Sequence, residues 1–494
     1  MSKPIGYVLD ESTPSVVRFV SNEPPLLGDY VLVSYGDGLQ VLGMIEWVGA
    51  RNTAFSVMNG VNDPTVISRL LKGRIGDNFF EGKIKLIGDI TRFELPRVPP
   101  PPGSPIYQAP PHVLEKVFGG SEPRMIRVGV LLSRPEVPVY VDVNKLVTRH
   151  LAILAVTGAG KSNTVAVIAD RIVRIGGTVL IFDFHGEYVG STIGGKVNII
   201  DAKLNPELLT IAELMVLLGI EHRFYNQERV LRRAYAKTME SREGSFIDRL
   251  IKAVESLKGR EDPKAVVAVL NKIESLREKY RDILDDNVVD VVSRIKYGYA
   301  NIVDLSRVDE EAADVVVSHF LRRILYERKK YKRLGEGLAV PVLVFVEEAH
   351  ILAPKDRTTL SKYWMARIAR EGRKFGIGLA IVSQRPKSLD VDILSQMNNK
   401  IILKIVEPSD QRYIREASET LSEDLAEQLA SLNVGEAILI GPFVRVPALV
   451  KIDKFQGRLG GADPDIVNEW RSTSSEEYDM IDEMVETVIR RFAQ

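Results

Sequence analysis

The sequence predicts an α/β fold, in which a parallel sheet is flanked by helices and preceded by a small β-barrel. Three observations support this prediction. Apolar, β-branched runs alternate with helical patterns after about residue 113, short alternating runs fill residues 1–95, and a proline-rich stretch separates the two regions. Runs that are apolar throughout fit strands buried on both faces, whereas several short strands with turn signals between them are typical of small barrels.

The composition limits the class of protein. The chain has 494 residues, 45% of them hydrophobic, and no cysteine, so we expect two or three domains without disulfides or cysteine-based metal sites. Its 66 basic and 66 acidic residues cancel, so any DNA-binding surface must be a local patch. Without a signal peptide, or a run of about 18 apolar residues that could span a membrane, a cytoplasmic protein is expected.

Changes in sequence texture predict the domain order. Proline fixes φ and removes an amide donor, so the proline-rich segment is expected to be a stiff linker without strand or helix. Later on, apolar residues at three- and four-residue steps predict a helical insertion within the α/β core. The expected segments are 1–95 for the barrel, 96–112 for the linker, 113–204 and 301–455 for the two parts of the core, 205–300 for the insertion, and 456–494 for a C-terminal extension with an amphipathic helix over 476–492.

A glycine-rich turn after the first strand of the core is the predicted phosphate site. In a P-loop, glycines let backbone amides turn towards anionic oxygens, the lysine reaches the β- and γ-phosphates, and the following hydroxyl ligates Mg²⁺. The full pattern has a glycine at position 155, where this chain has Ala155, and Gly158 supplies flexibility instead. The residues expected to bind nucleotide are Thr157, Gly158, Ala159, Gly160, Lys161, Ser162 and Asn163, with ATP and Mg²⁺ as ligands.

Carboxylates follow two further predicted strands. Glu347 and Glu348 come directly after the run 342–346, and Asp183 ends the run 178–183. The carboxyl ends of strands face the ligand crevice of an open α/β sheet, and alternation along a strand aims neighbouring side chains differently. We expect Glu347, with Asp183 close by, to serve the Mg²⁺ site and Glu348 to polarise the attacking water.

Two alternatives stay open at these strand ends. Asp183, His185 and Glu187 alternate and could instead ligate the metal of a nuclease, although no second His/Asp cluster accompanies them. Gln384, which follows the strand 377–382, would lie near the γ-phosphate and could couple hydrolysis to loop movement. A simple strand terminus explains Gln384 nearly as well.

Four motifs resemble those of the HerA/FtsK family of hexameric P-loop DNA translocases and helicases, and within it the archaeal HerA group. They are Thr157-Gly158-Ala159-Gly160-Lys161-Ser162-Asn163-Thr164, Asp183-Phe184-His185-Gly186-Glu187-Tyr188, Glu347-Glu348-Ala349-His350 and Ser383-Gln384-Arg385-Pro386. The resemblance implies a RecA-like P-loop ATPase core, a barrel of the rotary-ATPase type, and a homo-hexamer with double-stranded DNA in its channel. It also implies a NurA-type nuclease as partner, in the resection of double-strand break ends for repair.

The same resemblance implies that residues of one subunit act on the ATP of its neighbour. By position, Arg149 matches the trans-acting arginine of the family. Arg370 and Arg373 are further candidates, of which we favour Arg373 as catalytic. The resemblance also implies that Lys451 reaches a neighbouring nucleotide.

Basic residues after the Glu347-Glu348 pair are the predicted DNA contacts. A loop carrying Lys355, Arg357 and Lys362 would point into a ring channel, where a translocase needs phosphate contacts and no base code. Two other classes of function stay open, because the near-neutral chain excludes neither. They are a ring ATPase that moves protein and a nucleotide-gated scaffold without motor activity.

Overall fold

The structure, a computed structural model, describes residues 3–36, 38–54, 63–72, 77–240, 243–460, 466–468 and 470. These residues form a closed six-stranded barrel and a core built on an eleven-stranded sheet. The helix predicted over 476–492 lies outside the described residues. Within the described part of the chain, no helix has the length and apolar character needed to cross a membrane.

Short antiparallel strands form the barrel. They are β1 (Gly6–Val8), β2 (Val16–Ser21), β3 (Tyr30–Ser34), β4 (Gln40–Asn52), β5 (Asn78–Asp89) and β6 (Pro105–Gln108), with helix α1 (Pro64–Lys72) between β4 and β5. They close in the order β1-β2-β5-β4-β3-β6. Alternate side chains of β2, such as Val17 and Phe19, are buried inside the barrel, as the two-residue repeat of a strand requires.

The last barrel strand lies within the segment 96–112, for which we predicted neither strand nor helix. This prediction was wrong, because β6 pairs with β1 and with β3 and closes the barrel. Helix α2 (Pro111–Phe118) also begins inside the segment. Both elements start at a proline, and a proline at the first position of a strand or helix removes no hydrogen bond that the element needs.

A single sheet of eleven strands organises the core. Its strands are β7 (Met125–Leu131), β8 (Pro138–Asp142), β9 (Leu151–Leu154), β10 (Thr178–Asp183), β11 (Val197–Asp201), β12 (Ala300–Asp304), β13 (Val342–Val346), β14 (Ile377–Ser383), β15 (Asn399–Ile402), β16 (Glu436–Ile440) and β17 (Ala448–Ile452). The spatial order is β11-β12-β10-β13-β14-β9-β15-β16-β17-β7-β8. The pairs from β11 to β15 are parallel, and those from β15 to β8 are antiparallel.

The predicted parallel sheet with flanking helices is confirmed. Every residue of β13 and β14 is buried, which explains why their sequences read as continuous apolar runs. The antiparallel half was not predicted, because β7 pairs with β17, which lies more than three hundred residues away. Local periodicity carries no information about such long-range pairing.

Helices cover the sheet and form the insertion. They are α3 (Val143–Arg149), α4 (Lys161–Arg174), α5 (Ile211–Leu217), α6 (Tyr225–Thr238), α7 (Phe246–Glu255), α8 (Pro263–Lys279), α9 (Glu310–Leu334), α10 (Ala349–Leu352), α11 (Leu360–Glu371), α12 (Val391–Gln396), α13 (Pro408–Glu416) and α14 (Glu423–Gln428). Short 3-10 turns lie at Ile193–Gly195, Pro206–Leu208, Val291–Arg294, Gly372–Phe375 and Pro386–Ser388. Helices α5 to α8 lie between β11 and β12 in sequence, where we predicted a helical insertion.

Helix α9 connects the insertion to the sheet. Its N-cap residue is Asp309, whose carboxylate accepts a hydrogen bond from the Ala312 amide. Phe320 packs edge-on against Phe182 of β10, with ring centroids 5.7 Å apart. Arg322 pairs at 3.1 Å with the buried Glu213 of α5. The insertion is thereby fixed to the core and not loosely appended.

Candidate nucleotide site

The P-loop follows β9 and leads directly into α4. Gly158 and Gly160 have φ values of 76° and 103°, a region that favours glycine because it has no Cβ. Ala155 has no positive φ and still continues the sheet, since its amide donates to Ser383 O at 3.2 Å. The atypical alanine is therefore tolerated: the turn that needs glycine begins only at Gly158.

A second loop packs against the P-loop. The Gly435 amide donates to Ala159 O at 3.0 Å, and the Lys451 ammonium group donates to Val434 O at 2.7 Å. Lys451 therefore lies next to a loop that contacts the P-loop of its own chain. Its reach to a neighbouring nucleotide stays a prediction.

Asn163, predicted to bind nucleotide, is engaged elsewhere. Its amide group donates to Asp453 O at 2.9 Å, and its carbonyl oxygen accepts from the Phe455 amide at 2.8 Å. Both halves of the side chain hold the segment after β17 against α4. The structure thus argues against a nucleotide-binding role and gives Asn163 a structural one. Sequence reasoning missed this because the partners lie almost three hundred residues away.

Glu347, at the end of β13, is almost completely buried. Its Oε1 accepts a hydrogen bond from the Tyr188 hydroxyl at 2.6 Å. Burial raises the pKa of Glu347 to about 8, the Tyr188 hydrogen bond opposes this rise, and the neighbouring Glu187 and Asp183 carboxylates add to it. A carboxyl group with this pKa is readily ionised by a nearby cation.

Replacing Glu347 with Gln should stabilise the protein without added nucleotide or metal at alkaline pH. The folded pKa of about 8 lies above the ordinary value of 4.5, so the carboxyl group lowers folding stability as pH rises through this window. We expect the unfolding midpoint of Glu347→Gln to exceed that of the unchanged protein by about 2–4 °C at pH 8 and by little at pH 5. Scanning calorimetry in EDTA measures both differences. An equal difference at both pH values would contradict this origin.

Glu348 adopts an unusual backbone conformation beside the P-loop. Its φ of 43° and ψ of 41° lie in the left-handed region, which costs a non-glycine residue roughly 1–2 kcal/mol. The side chain is 4% exposed, and its Oε1 accepts from the Lys161 ammonium group at 3.0 Å. Two imidazoles are close, with His185 Nε2 at 3.5 Å and His350 Nδ1 at 3.2 Å from the carboxylate. The strained turn thus aims this carboxylate at the P-loop lysine.

Asp183 is fully buried and serves the turn that follows β10. Its carboxylate accepts hydrogen bonds from the amides of Glu187, Tyr188 and Val189 at 2.8–3.2 Å. Burial raises its pKa, and these amides oppose the rise. Because the backbone already uses both oxygens, the structure argues against Asp183 as a direct metal ligand. Its role is to shape the loop that carries His185.

The nuclease alternative is not supported by the described residues. Within them, no three His, Cys, Asp or Glu side chains are grouped so that they could hold a metal ion. His185 points to Glu348 and not to a cluster with Glu187. The Mg²⁺ site expected with a P-loop uses a hydroxyl and one carboxylate, and is a different kind of site.

Gln384 contacts Thr157 of the P-loop, and its predicted position near the γ-phosphate stays a prediction. Strand β14 lies between β9 and β13. Gln384, one residue past β14, accepts a hydrogen bond from the Thr157 hydroxyl at 2.5 Å. The side chains of three adjacent strand ends therefore meet at one edge of the sheet.

The arginines predicted to act on a neighbour lie at the opposite edge of the sheet. Arg149 lies two residues before β9, whereas the P-loop follows the strand. The four residues of β9 separate the two edges by about 13 Å. Arg370 and Arg373 lie just before β14, at the same edge as Arg149. Within the described part of the chain, the three side chains have no hydrogen-bond or ion-pair partner. They are thus separated from their own P-loop.

A buried histidine, His150, joins the segment that carries Arg149 to the segment that carries Arg370. His150 accepts from the Leu379 amide at Nδ1, so Nε2 carries the proton and donates to Ala369 O, both at 3.1 Å. Burial lowers the pKa of His150 to about 4, which keeps the ring neutral. Arg149 precedes His150 in the sequence, and Arg370 follows Ala369. The His150–Ala369 hydrogen bond therefore fixes the two arginine-bearing segments to each other.

The predicted DNA contacts divide into two kinds. Lys355 and Arg357 are exposed, the first 5.5 Å from the ring of Tyr413. Lys362 is mostly buried, pairs with Asp390 at 2.9 Å and donates to Pro354 O at 2.7 Å. The structure argues against a DNA contact at Lys362, because its ammonium group is engaged by the protein's own loop.

Tyr188 and His350 had no role in the sequence reasoning, and His185 had one only in the nuclease alternative. Tyr188, His185 and His350 belong to the quoted motifs, but spacing did not show what they contact. In the structure Tyr188 binds Glu347, and both histidines face Glu348. All three residues belong to the quoted motifs, and this was the signal in the sequence that could have identified them as site residues.

Family models match both halves of the core. One described as "Helicase HerA, central domain" matches residues 126–324, and one described as "Helicase HerA-like C-terminal" matches residues 301–446. The DNA double-strand break repair helicase HerA of Saccharolobus solfataricus is 44% identical over 491 residues, which cover 96% of this chain and 97% of that protein. The protein of the same name from Pyrococcus furiosus is 36% identical, with coverage of 95% and 97%.

Two solved structures share the fold. VirB4 of Thermoanaerobacter pseudethanolicus superposes with a TM-score of 0.51 at 17% identity, covering 67% of this chain and 97% of that one. The bacterial conjugative coupling protein TrwBdeltaN70 gives 0.50 at 14% identity, covering 71% and 93%. These similarities agree with the predicted RecA-like P-loop ATPase core. Since two HerA models match its core and HerA proteins align with nearly its full length, the chain belongs to the HerA family of ATP-hydrolysing helicases.

Proposed function

We propose that the chain is one subunit of a homo-hexameric ring that hydrolyses ATP to move along double-stranded DNA. In this proposal the ring works with a NurA-type nuclease in resecting double-strand break ends. The observation that carries the proposal is the separation of one site into two edges. The P-loop, Glu348 and Gln384 meet at one edge of the sheet. Arg149 and Arg373 lie at the opposite edge. A second copy of the chain brings the two edges together.

The residues at the first edge fit a nucleotide with Mg²⁺. Ser162 is the second residue of α4, and Glu347 directly follows β13. Both offer the hard oxygen ligands that Mg²⁺ prefers. Mg²⁺ supplies neutralisation of the charge on the phosphates. Lys161 binds the β- and γ-phosphates, and Gln384 contacts the end of the transferred group. Glu348, released from Lys161, polarises the attacking water.

The residues at the second edge fit the neighbour's nucleotide. An arginine stabilises the charge that develops on the phosphates as the bond breaks. Arg149 serves this role, with Arg373 beside it. Lys451 lies at the first edge, next to the loop that contacts its own P-loop, and its reach to a neighbouring nucleotide stays a prediction. The absence of ion-pair partners for these arginines, among the described residues, leaves them available for an anionic ligand.

The DNA contacts proposed are Lys355 and Arg357, in the loop after α10. Both are exposed and lie on the chain between Glu348 and α11. A movement of the Glu348 carboxylate can thus be transmitted to this loop through the short helix α10. The relatives' name, DNA double-strand break repair helicase, supports duplex DNA as the substrate.

Linear duplex DNA should stimulate ATP turnover at low salt by roughly tenfold or more, and salt should weaken binding steeply. Raising salt from about 50 to 200 mM should lower DNA affinity by roughly 10³-fold, since each phosphate contact releases counterions. Coupled ATPase assays and fluorescence anisotropy with a labelled duplex measure the two effects. No stimulation by DNA at low salt would favour a ring that moves protein.

Variants of the loop provide the control. The double variant Lys355→Ala, Arg357→Ala should reduce both the stimulation and the slope of affinity against salt, because it removes two phosphate contacts per subunit. Arg333→Ala removes an exposed arginine at the end of α9 and should change neither. Equal behaviour of the two variants would remove the loop from the DNA path.

A further inference from the structure

His350 lies between two strand ends and has no role in the mechanism so far. It is the second residue of α10, and its side chain is mostly buried. Its Nδ1 is 3.2 Å from Glu348 Oε2 and 3.3 Å from the Ser383 hydroxyl oxygen. One ring nitrogen thus faces both the carboxylate after β13 and the last residue of β14.

The two oxygens of Glu348 differ in their surroundings. Oε1 accepts a hydrogen bond from Lys161. Oε2 is buried and, within the described residues, accepts no hydrogen bond, although His350 Nδ1 is within ion-pair distance. A buried carboxylate oxygen without a donor is unfavourable, typically by 1–3 kcal/mol. His350 Nδ1 is therefore close enough to donate to Glu348 Oε2, but this hydrogen bond is not formed in the structure.

Ser383 holds the ring in its present orientation. Its hydroxyl is within hydrogen-bond geometry of Nδ1 and also accepts from the Arg385 amide at 3.1 Å. The next residue, Gln384, contacts Thr157 of the P-loop. A continuous series of contacts therefore connects the P-loop through the end of β14 to the ring that faces Glu348.

We propose that His350 is a positioning residue for Glu348. When the phosphates of ATP attract Lys161, the carboxylate loses the hydrogen bond from Lys161 to Oε1, and only His185 Nε2 stays near that oxygen, at 3.5 Å. Nδ1–H of His350 then turns from Ser383 to donate to Oε2. That hydrogen bond fixes the carboxylate in the orientation that polarises water. Because Ser383 precedes Gln384, the ring forms this bond in step with the strand end that contacts the P-loop. The proposal rests on the role proposed above for Glu348.

Two conservative substitutions separate this role from packing. The side-chain amide of Asn places a nitrogen at the position of Nδ1, whereas that of Gln lies one bond further, near the position of Nε2. We expect His350→Ala and His350→Gln to lower kcat for ATP by about 10- to 100-fold with KM changed less than threefold, as misplacement of a reacting group does. His350→Asn should recover kcat to within about fivefold of the unchanged protein. The control, His222→Asn in the insertion, should behave as the unchanged protein.

The assay is steady-state ATP turnover with saturating duplex, with thermal unfolding as a check on folding. The inference is overturned if His350→Asn is as slow as His350→Gln, or if the loss appears in KM and not in kcat. If His350→Ala fails to fold, the comparison of His350→Asn with His350→Gln still tests the inference. Glu348→Gln is measured in parallel: if it is inactive while His350→Gln is fully active, only this inference fails. If Glu348→Gln is itself active, the proposed role of Glu348 fails first and this inference with it.

Discussion

Glu348→Gln is expected to reduce ATP turnover by about 10²- to 10⁴-fold while ATP still binds. A general base contributes a factor of this size, and glutamine keeps the shape of the side chain without its negative charge. The substitution also removes the ion pair that holds Lys161 at 3.0 Å. Lys161 is then free for the phosphates, so ATP affinity should stay equal or rise. Turnover assays and titration with a fluorescent ATP analogue measure the two quantities.

Lys161→Ala is the matched comparison for this variant. It removes the group that binds the phosphates, so affinity and turnover should both fall. A Glu348→Gln protein that kept more than a tenth of normal turnover would assign the water to another residue. Reduced affinity in Glu348→Gln would show that the carboxylate supports binding and not only the chemical step.

The second large effect is expected for Arg149→Ala, with a loss of roughly 10³-fold or more in kcat. ATP affinity should change little, because the arginine lies at the edge of the sheet away from its own P-loop. Arg373→Ala should follow with a smaller loss, and Arg370→Ala with the smallest. Turnover measured with the three purified variants gives the ranking. A larger loss in Arg370→Ala than in Arg373→Ala would reverse our choice between them.

Mixing two inactive proteins tests whether the arginine acts on a neighbour. Arg149→Ala subunits retain Glu348, and Glu348→Gln subunits retain Arg149. In a ring assembled from both, some interfaces combine the intact carboxylate of one subunit with the intact arginine of the next. Partial recovery of turnover on mixing and reassembly is therefore expected. If the arginine acted within its own chain, no mixture would recover.

Much of the fold could be predicted because its signals are local. The P-loop glycines, the apolar run of β13 and the acidic pair after it are each contained in a few consecutive residues. Each predicts its own structure without knowledge of the rest of the chain. The proline-rich segment shows the limit of this reasoning. β6 forms there because β1 and β3 offer it hydrogen-bond partners, which composition does not show.

Three of the predicted site residues already have partners within the chain, which argues against their predicted roles. Asn163, Asp183 and Lys362 each have the chemistry of a ligand-binding group, and each is used by the protein's own backbone or side chains. The sequence shows which groups can bind but not which are already bound. Partners from distant segments, such as Asp453 for Asn163, become visible only in the folded chain.

The strand β9 has the P-loop at one end and Arg149 near the other. This arrangement matters for rings that contain both intact and defective subunits. Under the proposed ring, every subunit takes part in two hydrolysis sites, one with its loop and one with its arginine. A single defective copy then impairs its own site or its neighbour's, according to which end of the strand is altered. Damage at either end would be dominant over intact copies in the same assembly. Selection accordingly acts on the contact between two chains, although a single gene encodes both sides of it.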